Sequence, residues 1–296
     1  MGTALVFYVF FVETCWLKYE QTRVPVDKPL PPGGLSILHL SDIHFKKWEP
    51  RKLRIFRSLE KRVYDLILIT GDIIDDHRGT ENALKALSHL RSRHGTYCIF
   101  GNHEYLDYKW FHMFRIILGR KIFPPRRNPR LNELKNGLGK IGIHHLGNRN
   151  CRLDRLGITL IGLDDFVAGM CRMERATQHL SSSTFNILLT HHPDSLLAAN
   201  PKKFDLALCG HTHGGQIRLP FIGPLFTDSK LPKSQASGWT KINGITTYIS
   251  RGFSSSRHAS PRLLCRPEMT EILLVPKGAL LSDIPRAPGS SQRPQS

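Results

Sequence analysis

Acidic residues are scarce in this 296-residue chain, with 24 Asp and Glu against 42 Lys and Arg and a formal charge of +18. Such a balance repels cationic partners and attracts anionic ones, among them nucleic acid, acidic lipid and phosphorylated small molecules. Cysteine pairing signals are missing too. The six cysteines, Cys15, Cys98, Cys151, Cys171, Cys209 and Cys265, form no Cys-x-x-Cys pair and no metal-finger spacing. They read as buried free thiols in apolar strands, which fits a reducing compartment and argues against a disulfide scaffold. No internal repeat is visible. With 40% apolar residues the chain can bury one large core, so one main domain is the expectation.

Long hydrophobic runs are absent except at the start. Gly2 to Val12 is uncharged and rich in Val and Phe, and the apolar character continues to Leu17 with only Glu13 interrupting. At about 17 residues this stretch reaches the short end of a membrane span. No basic residue precedes it and no small-residue cleavage site follows, so it does not read as a signal peptide. Lys18, Arg23 and Lys28 come next, which on the positive-inside rule would place the remainder in the cytosol. We expect a membrane anchor over residues 1–20; the alternative is a hydrophobic helix packed on the domain. Residues 21–33, Pro-rich from Pro25 to Pro32, read as an extended linker.

From Gly34 the pattern alternates. Short β-forming runs at Leu35–Leu40, Asp65–Thr70 and Thr96–Phe100 are separated by helical segments at 51–63 and 81–93, as in βαβ units. Residues 109–140 change character, interleaving Arg115, Arg120, Lys121, Arg126, Arg127 and Arg130 with Trp110, Phe111, Phe114 and Phe123. This segment reads as a basic, aromatic insertion beside the core, able to lie on acidic lipid or to remain a solvated face. Further strands are expected at 158–163, 185–190, 206–209, 216–219, 245–250 and 270–275, closing a domain that spans 34–276. The Pro-, Ser- and Arg-rich residues 277–296 read as a disordered tail.

Asp42, Asp72 and Asn102 each follow an apolar run and recur thirty residues apart. A parallel sheet would gather all three at one edge, and open α/β sheets bind ligands at the carboxyl ends of their strands. In Ser41-Asp42-Ile43-His44 the carboxylate and imidazole are two residues apart, so an extended backbone turns both to one side, where one cation can take both. In Gly71-Asp72 the glycine permits a sharp turn, and the two carboxylate oxygens can bridge two ions. Asn102 offers a neutral oxygen, while adjacent His103 points elsewhere and is left for chemistry. Thr190-His191-His192-Pro193 and Gly210-His211-Thr212-His213-Gly214 supply imidazoles from the second half of the chain.

Asp-x-His, Gly-Asp, Gly-Asn-His-Glu, a His ahead of Pro-Asp and Gly-His-Thr-His, in that order over residues 35–276, resemble the calcineurin-like metallophosphoesterases. The resemblance implies a four-layer αββα sandwich with two mixed β-sheets and a dinuclear metal site at their rim. It implies one ion on Asp42, His44, Asp72 and His213, and another on Asp72, Asn102, His191 and His211. It also implies hydrolysis of a phosphodiester or pyrophosphate by metal-activated water, with Asp72 and His103 as catalytic residues. Mixed oxygen and imidazole ligation suits Mn²⁺, our choice, or Fe²⁺, Co²⁺, Ni²⁺ or Zn²⁺. The segments at His191–Asp194, 210–216, Arg251-Gly252 and 266–268 look like a membrane-associated bacterial branch that includes UDP-2,3-diacylglucosamine diphosphatases. On that likeness the substrate is a nucleotide-linked glycolipid of lipid A biosynthesis, met at the cytoplasmic face of the inner membrane. Arg251, Arg257 and Arg262 are candidates for gripping its phosphate. A nuclease of the same fold is the alternative, favoured by the charge and opposed by the apolar N-terminus. A non-catalytic lipid- or nucleic-acid-binding module would have lost a ligand, and none is missing.

Overall fold

The computed structural model describes residues 2–108, 126–255 and 261–278. Its strands, numbered along the chain, are β1 (Lys18–Val26), β2 (Leu35–Leu40), β3 (Leu66–Thr70), β4 (Thr96–Ile99), β5 (Ile143–His145), β6 (Arg149–Leu153), β7 (Ile158–Gly162), β8 (Phe185–Leu189), β9 (Leu206–Cys209), β10 (Gly238–Ile242), β11 (Ile245–Ile249) and β12 (Glu268–Pro276). Two six-stranded sheets result, ordered β1-β12-β2-β3-β4-β5 and β10-β11-β9-β8-β7-β6. Both are mixed. In the first, β2 to β5 run parallel while β12 is antiparallel to β2; in the second, β11, β9, β8 and β7 run parallel between antiparallel β10 and β6.

The parallel strands are apolar on both faces because both faces are covered. Leu66 and Leu68 of β3 point into a core shared with Ile187 and Leu189 of β8, and that shared core is the seam between the sheets. The alternate residues Ile67 and Ile69 face three helices, α1 (Pro50–Leu59), α2 (Thr80–Leu87) and α4 (Leu131–Lys140). Each helix turns an apolar stripe inward: Phe56 and Leu59 from α1, Ala83, Ala86 and Leu87 from α2, Leu134 and Leu138 from α4. Across the second sheet, Leu188 and Ala207 meet Ala176, Leu196 and Phe204, carried by a four-residue helix and 3-10 turns. The four layers are thus present, with the last one thin. Truncating a seam leucine to alanine in such a core costs about 2–5 kcal/mol.

Three boundaries differ from expectation. The supposed linker over 21–33 is a strand in its first half, since β1 pairs with β12 over nine residues from Lys18 to Val26. Pro25 is tolerated because β1 is an edge strand with one side free of ladder bonds. The fold therefore begins upstream of Gly34, and β1 takes in residues 18–20 of the expected anchor. At the other end of the supposed insertion, α4 occupies 131–140 and belongs to the helix layer, where Leu134 and Leu138 are fully buried. Its basic residues masked the i, i+4 spacing of those leucines. Trp110, Phe111, Phe114, Arg115, Arg120, Lys121 and Phe123 lie outside the described residues, as do Arg257 and the tail from 279.

The N-terminus forms a helix, Gly2–Phe7, continued by a π-helical stretch to Val12 and a 3-10 turn, Glu13–Cys15. Among the described residues no helix is long and apolar enough to cross a membrane. No cysteine is paired: Cys98, Cys209 and Cys265 are buried, Cys151 and Cys171 half-buried, and Cys15 exposed.

Candidate metal centre

The parallel strands of both sheets deliver their following loops to one rim. Asp42 and His44 follow β2, and Asp72 follows β3. Asn102 opens α3 (Asn102–Tyr105) after β4, His191 follows β8, and His211 and His213 follow β9. Backbone bonds continue the ladders into these loops, with Asp42 N donating to Gly71 O at 3.1 Å and Gly210 N to His191 O at 3.0 Å. The two sheets are laced together there by Phe253 N to Ser41 O at 2.8 Å and Ser254 N to Asp42 O at 3.0 Å. The approach is too close for side chains at two glycines. A Cβ on Gly101 would lie 2.4 Å from Asp72 Oδ1, and one on Gly210 would lie 1.9 Å from Ser41 Oγ.

Five of the seven candidate ligands, Asp42, His44, Asp72, His211 and His213, have φ between 49° and 69°. For L-residues this left-handed region is strained, and such residues gather where function holds them.

The donor atoms converge. Asp72 Oδ2 lies 3.3 Å from His191 Nε2 and 3.7 Å from His44 Nε2, and Asp42 Oδ1 lies 3.4 Å from His213 Nε2. Ligand atoms of Asp42, His44 and His213 form one group within 4.8 Å, and those of Asp42, Asp72 and His191 another, with His211 Nδ1 beside His191 at its margin. A third such group, His44, Asp72 and His103, brings His103 into the cluster instead of pointing it away.

Second contacts fix the imidazole tautomers. His191 Nδ1 donates to Thr70 O at 2.7 Å and His213 Nδ1 to Ser254 O at 3.2 Å, so both present an Nε2 lone pair to the cluster. His191 Nε2 then faces His211 Nδ1 at 3.4 Å, and His213 Nε2 faces His44 Nε2 at 3.3 Å. Each pair closes either on a proton shared between the two rings or on a cation that takes both nitrogens. Asn102 Oδ1 is buried without a hydrogen-bond partner, a cost of roughly 1–3 kcal/mol that a cation would remove. The donors present therefore fit divalent ions.

Charges agree with this. Burial disfavours the Asp72 carboxylate, but His191 and His103 outweigh it and hold the carboxyl well below its usual range. Burial would lower His191 as well, yet Asp72 raises it well above the ordinary imidazole value. A proton held between these two is what an ion would displace. Burial keeps His44 well below the usual value and His213 at about 4, so both are neutral ligands at pH 7.

His192 takes no part. Its ring stacks on His211 with centroids 4.1 Å apart, its Nδ1 accepts from Asp194 N, and burial lowers its pKa to about 3. Arg262 is also not where phosphate binding needs it. It is fully buried, with Nε on Ser255 Oγ, Nη1 on Cys265 O and Nη2 on Arg251 O and Ser254 O. Those donors are spent on the chain itself, so Arg262 frames the loop beside His213 and does not grip a substrate. Arg251 is half-buried against Ser237 and Glu268.

Two residues gained no role from the sequence. Glu104 lies in the quoted Gly-Asn-His-Glu run, three residues after the N-cap glycine, and its carboxylate accepts Gly101 N at 2.7 Å. Its carboxylate also accepts Asp72 N. Asp75 lies in an Asp-Asp pair that had no distinguishing signal. Its carbonyl takes His103 Nδ1 at 2.9 Å, and its carboxylate lies 3.7 Å from His44 Nδ1.

Residues 35–215 match the model of the calcineurin-like phosphoesterase family. The uncharacterized metallophosphoesterase YkuE of Bacillus subtilis is 31% identical over 86% of this chain and 85% of its own length. Phosphodiesterase YaeI of Escherichia coli is 28% identical over 90% and 92% respectively. Among solved structures, the phosphopantetheinyl hydrolase PptH of Mycobacterium tuberculosis aligns with a TM-score of 0.44 at 12% identity, covering 77% of this chain and 92% of that one. With the family match running from the first residue of β2 to Gly215, just beyond the last ligand, the chain belongs to the calcineurin-like metallophosphoesterases and is a metal-dependent phosphoester hydrolase.

Proposed function

We propose that the chain hydrolyses a phosphodiester or pyrophosphate bond in a nucleotide-linked glycolipid. The specific substrate is UDP-2,3-diacylglucosamine, cleaved to UMP and 2,3-diacylglucosamine 1-phosphate. The observation that carries the hydrolytic part is the convergence of imidazole nitrogens, His191 with His211 and His44 with His213, about the Asp72 carboxylate. Two cations bound there supply neutralisation of phosphoryl oxygens and acidification of a water molecule, with Mn²⁺ the choice for this ligand set.

The chain's own residues divide the remaining work. Asp72 Oδ1 accepts His103 N at 3.0 Å, which orients the carboxylate so that Oδ2 faces His191 and His44. His103, held through Nδ1 by the Asp75 carbonyl, keeps Nε2 for the reacting group. Burial lowers its pKa, but Asp72 and Asp75 outweigh burial and raise it, which favours the protonated form that can hand a proton to the leaving oxygen. Asn102 is aimed by its amide donating to Tyr108 OH at 3.1 Å.

The glycolipid assignment draws support from the apolar N-terminus and from the cationic chain, and it puts the enzyme at the cytoplasmic face of the inner membrane. The charge of +18 also favours a nuclease, so the test runs both. Purified protein with Mn²⁺ is incubated in parallel with UDP-2,3-diacylglucosamine, a simple aryl phosphodiester and single-stranded DNA. Release of UMP without DNA cleavage is the expected result; cleavage of DNA alone would reverse the assignment. Asp72→Ala should lose both ions and nearly all turnover, about 10³-fold or more.

A further inference from the structure

Two apolar features are left exposed by the fold, one at the N-terminus and one on a hairpin. Phe7 and Phe11 of the N-terminal helical segment stack with centroids 5.4 Å apart, although each is more than half exposed. Phe221 and Ile222 form the tip of a short hairpin, Arg218–Leu219 with Gly223–Pro224, and stand in solvent at 110% and 69% exposure. Soluble surfaces rarely gather such side chains without a partner.

One strip of chain joins the two features. Arg262 N donates to Val9 O at 3.0 Å on the helix side. On the hairpin side Leu263 N donates to Gln216 O and Leu263 O accepts Arg218 N, both at 2.9 Å. Leu264, 54% exposed, continues the apolar surface between them. The same strip carries the guanidinium that lies 3.4 Å from His213 Nδ1, so the apolar surface borders the metal-ligand rim.

Cations edge this surface. The Arg266 guanidinium lies 4.0 Å above the Trp16 ring, Arg51 donates to Cys15 O, and Lys233 Nζ donates to Leu225 O. Apolar side chains rimmed by Lys and Arg match a bilayer with anionic headgroups, where the rings enter the acyl boundary and the cations take the phosphates. A second copy of a chain at +18 is repelled by the same charge.

We propose that the N-terminal helix and the Phe221–Ile222 tip form a two-point seat on an anionic phospholipid bilayer, holding the ligand rim at the headgroup layer. The protein lies on the membrane through this seat. It deepens the glycolipid reading, yet seating is measured without turnover, so the two fail separately.

Full-length protein is sedimented with phosphatidylcholine vesicles with and without phosphatidylglycerol. Phe221→Ser with Ile222→Ser, and separately Phe7→Ser with Phe11→Ser, should each weaken binding to the anionic vesicles by roughly tenfold or more. Hydrolysis of a soluble aryl phosphodiester should be unchanged in both, which also shows that they fold. Wild-type protein that ignores anionic vesicles, or a hairpin variant that binds them as tightly as wild type, would overturn the seat. So would a wild-type dimer in sedimentation equilibrium that the hairpin variant dissociates. Vesicle binding that is lost in the variants, with no UMP released by any form, supports the seat and removes only the substrate.

Discussion

The carboxylate of Glu104 accepts the backbone amide of Asp72 at 2.9 Å, so this candidate ligand is held from behind by a residue outside the ligand groups. The same carboxylate accepts Gly101 N at 2.7 Å and Ile74 N at 3.0 Å, tying the turn after β3 to the turn after β4. In Glu104→Gln the carboxamide nitrogen must face one of these amides, donor against donor. We expect a loss of about 1–3 kcal/mol in urea unfolding and about 10–100-fold in Mn²⁺ affinity by titration. Unchanged affinity would reduce Glu104 to a helix cap.

His103→Gln should lower kcat by about 10²–10⁴-fold while ion content stays at the wild-type level. The loss should shrink for a 4-nitrophenyl ester, whose leaving oxygen departs without a proton. Equal losses for poor and good leaving groups would move His103 from proton donor to ligand, a role its nearness to His44 and Asp72 also permits.

Arg262→Met keeps most of the volume but leaves the Arg251, Ser254 and Cys265 carbonyls without their donor. The expected effect is a stability loss on the order of 3 kcal/mol or more, read as a lower Tm. A raised KM in a variant of undiminished Tm would return Arg262 to the substrate.

His39 lies in the seam between the sheets, with Nε2 on Thr70 Oγ1 at 2.8 Å. Burial lowers its pKa from 6.5 to about 4. The unfolded chain therefore binds a proton between those values that the folded chain does not, and stability must fall as the pH drops from 6.5 towards 4. The contribution, fully present above pH 6.5, is at most on the order of 3 kcal/mol. Urea unfolding at pH 5 and 7.5 should show a smaller difference in His39→Gln than in wild type.

How much of this was legible in the sequence depends on the element. Leu35–Leu40 and Leu206–Cys209 were placed at their observed limits, because strands covered on both faces are mostly apolar and turn residues close them. Lys18–Val26 was not: an edge strand half open to solvent carries Lys, Glu and Arg, and its Pro25 begins a Pro-rich run that looks like a linker. The candidate ligands could be picked out because each sits just beyond a strand. Glu104 and Asp75 could not be given roles, since both act on backbone groups and only the fold shows which ones. Arg262 was misread for a related reason, as nothing local separates an arginine that serves carbonyls from one that serves phosphate.

The left-handed corners under five of the ion-facing side chains have a further consequence. Each bend costs roughly 1–3 kcal/mol and is imposed by the packed sheets as the chain folds. Capture of metal then calls for little movement of the main chain, unlike small domains that take shape only around their ion. Chelated protein should give the same far-ultraviolet circular dichroism as the loaded form, and added Mn²⁺ should restore turnover without a refolding lag.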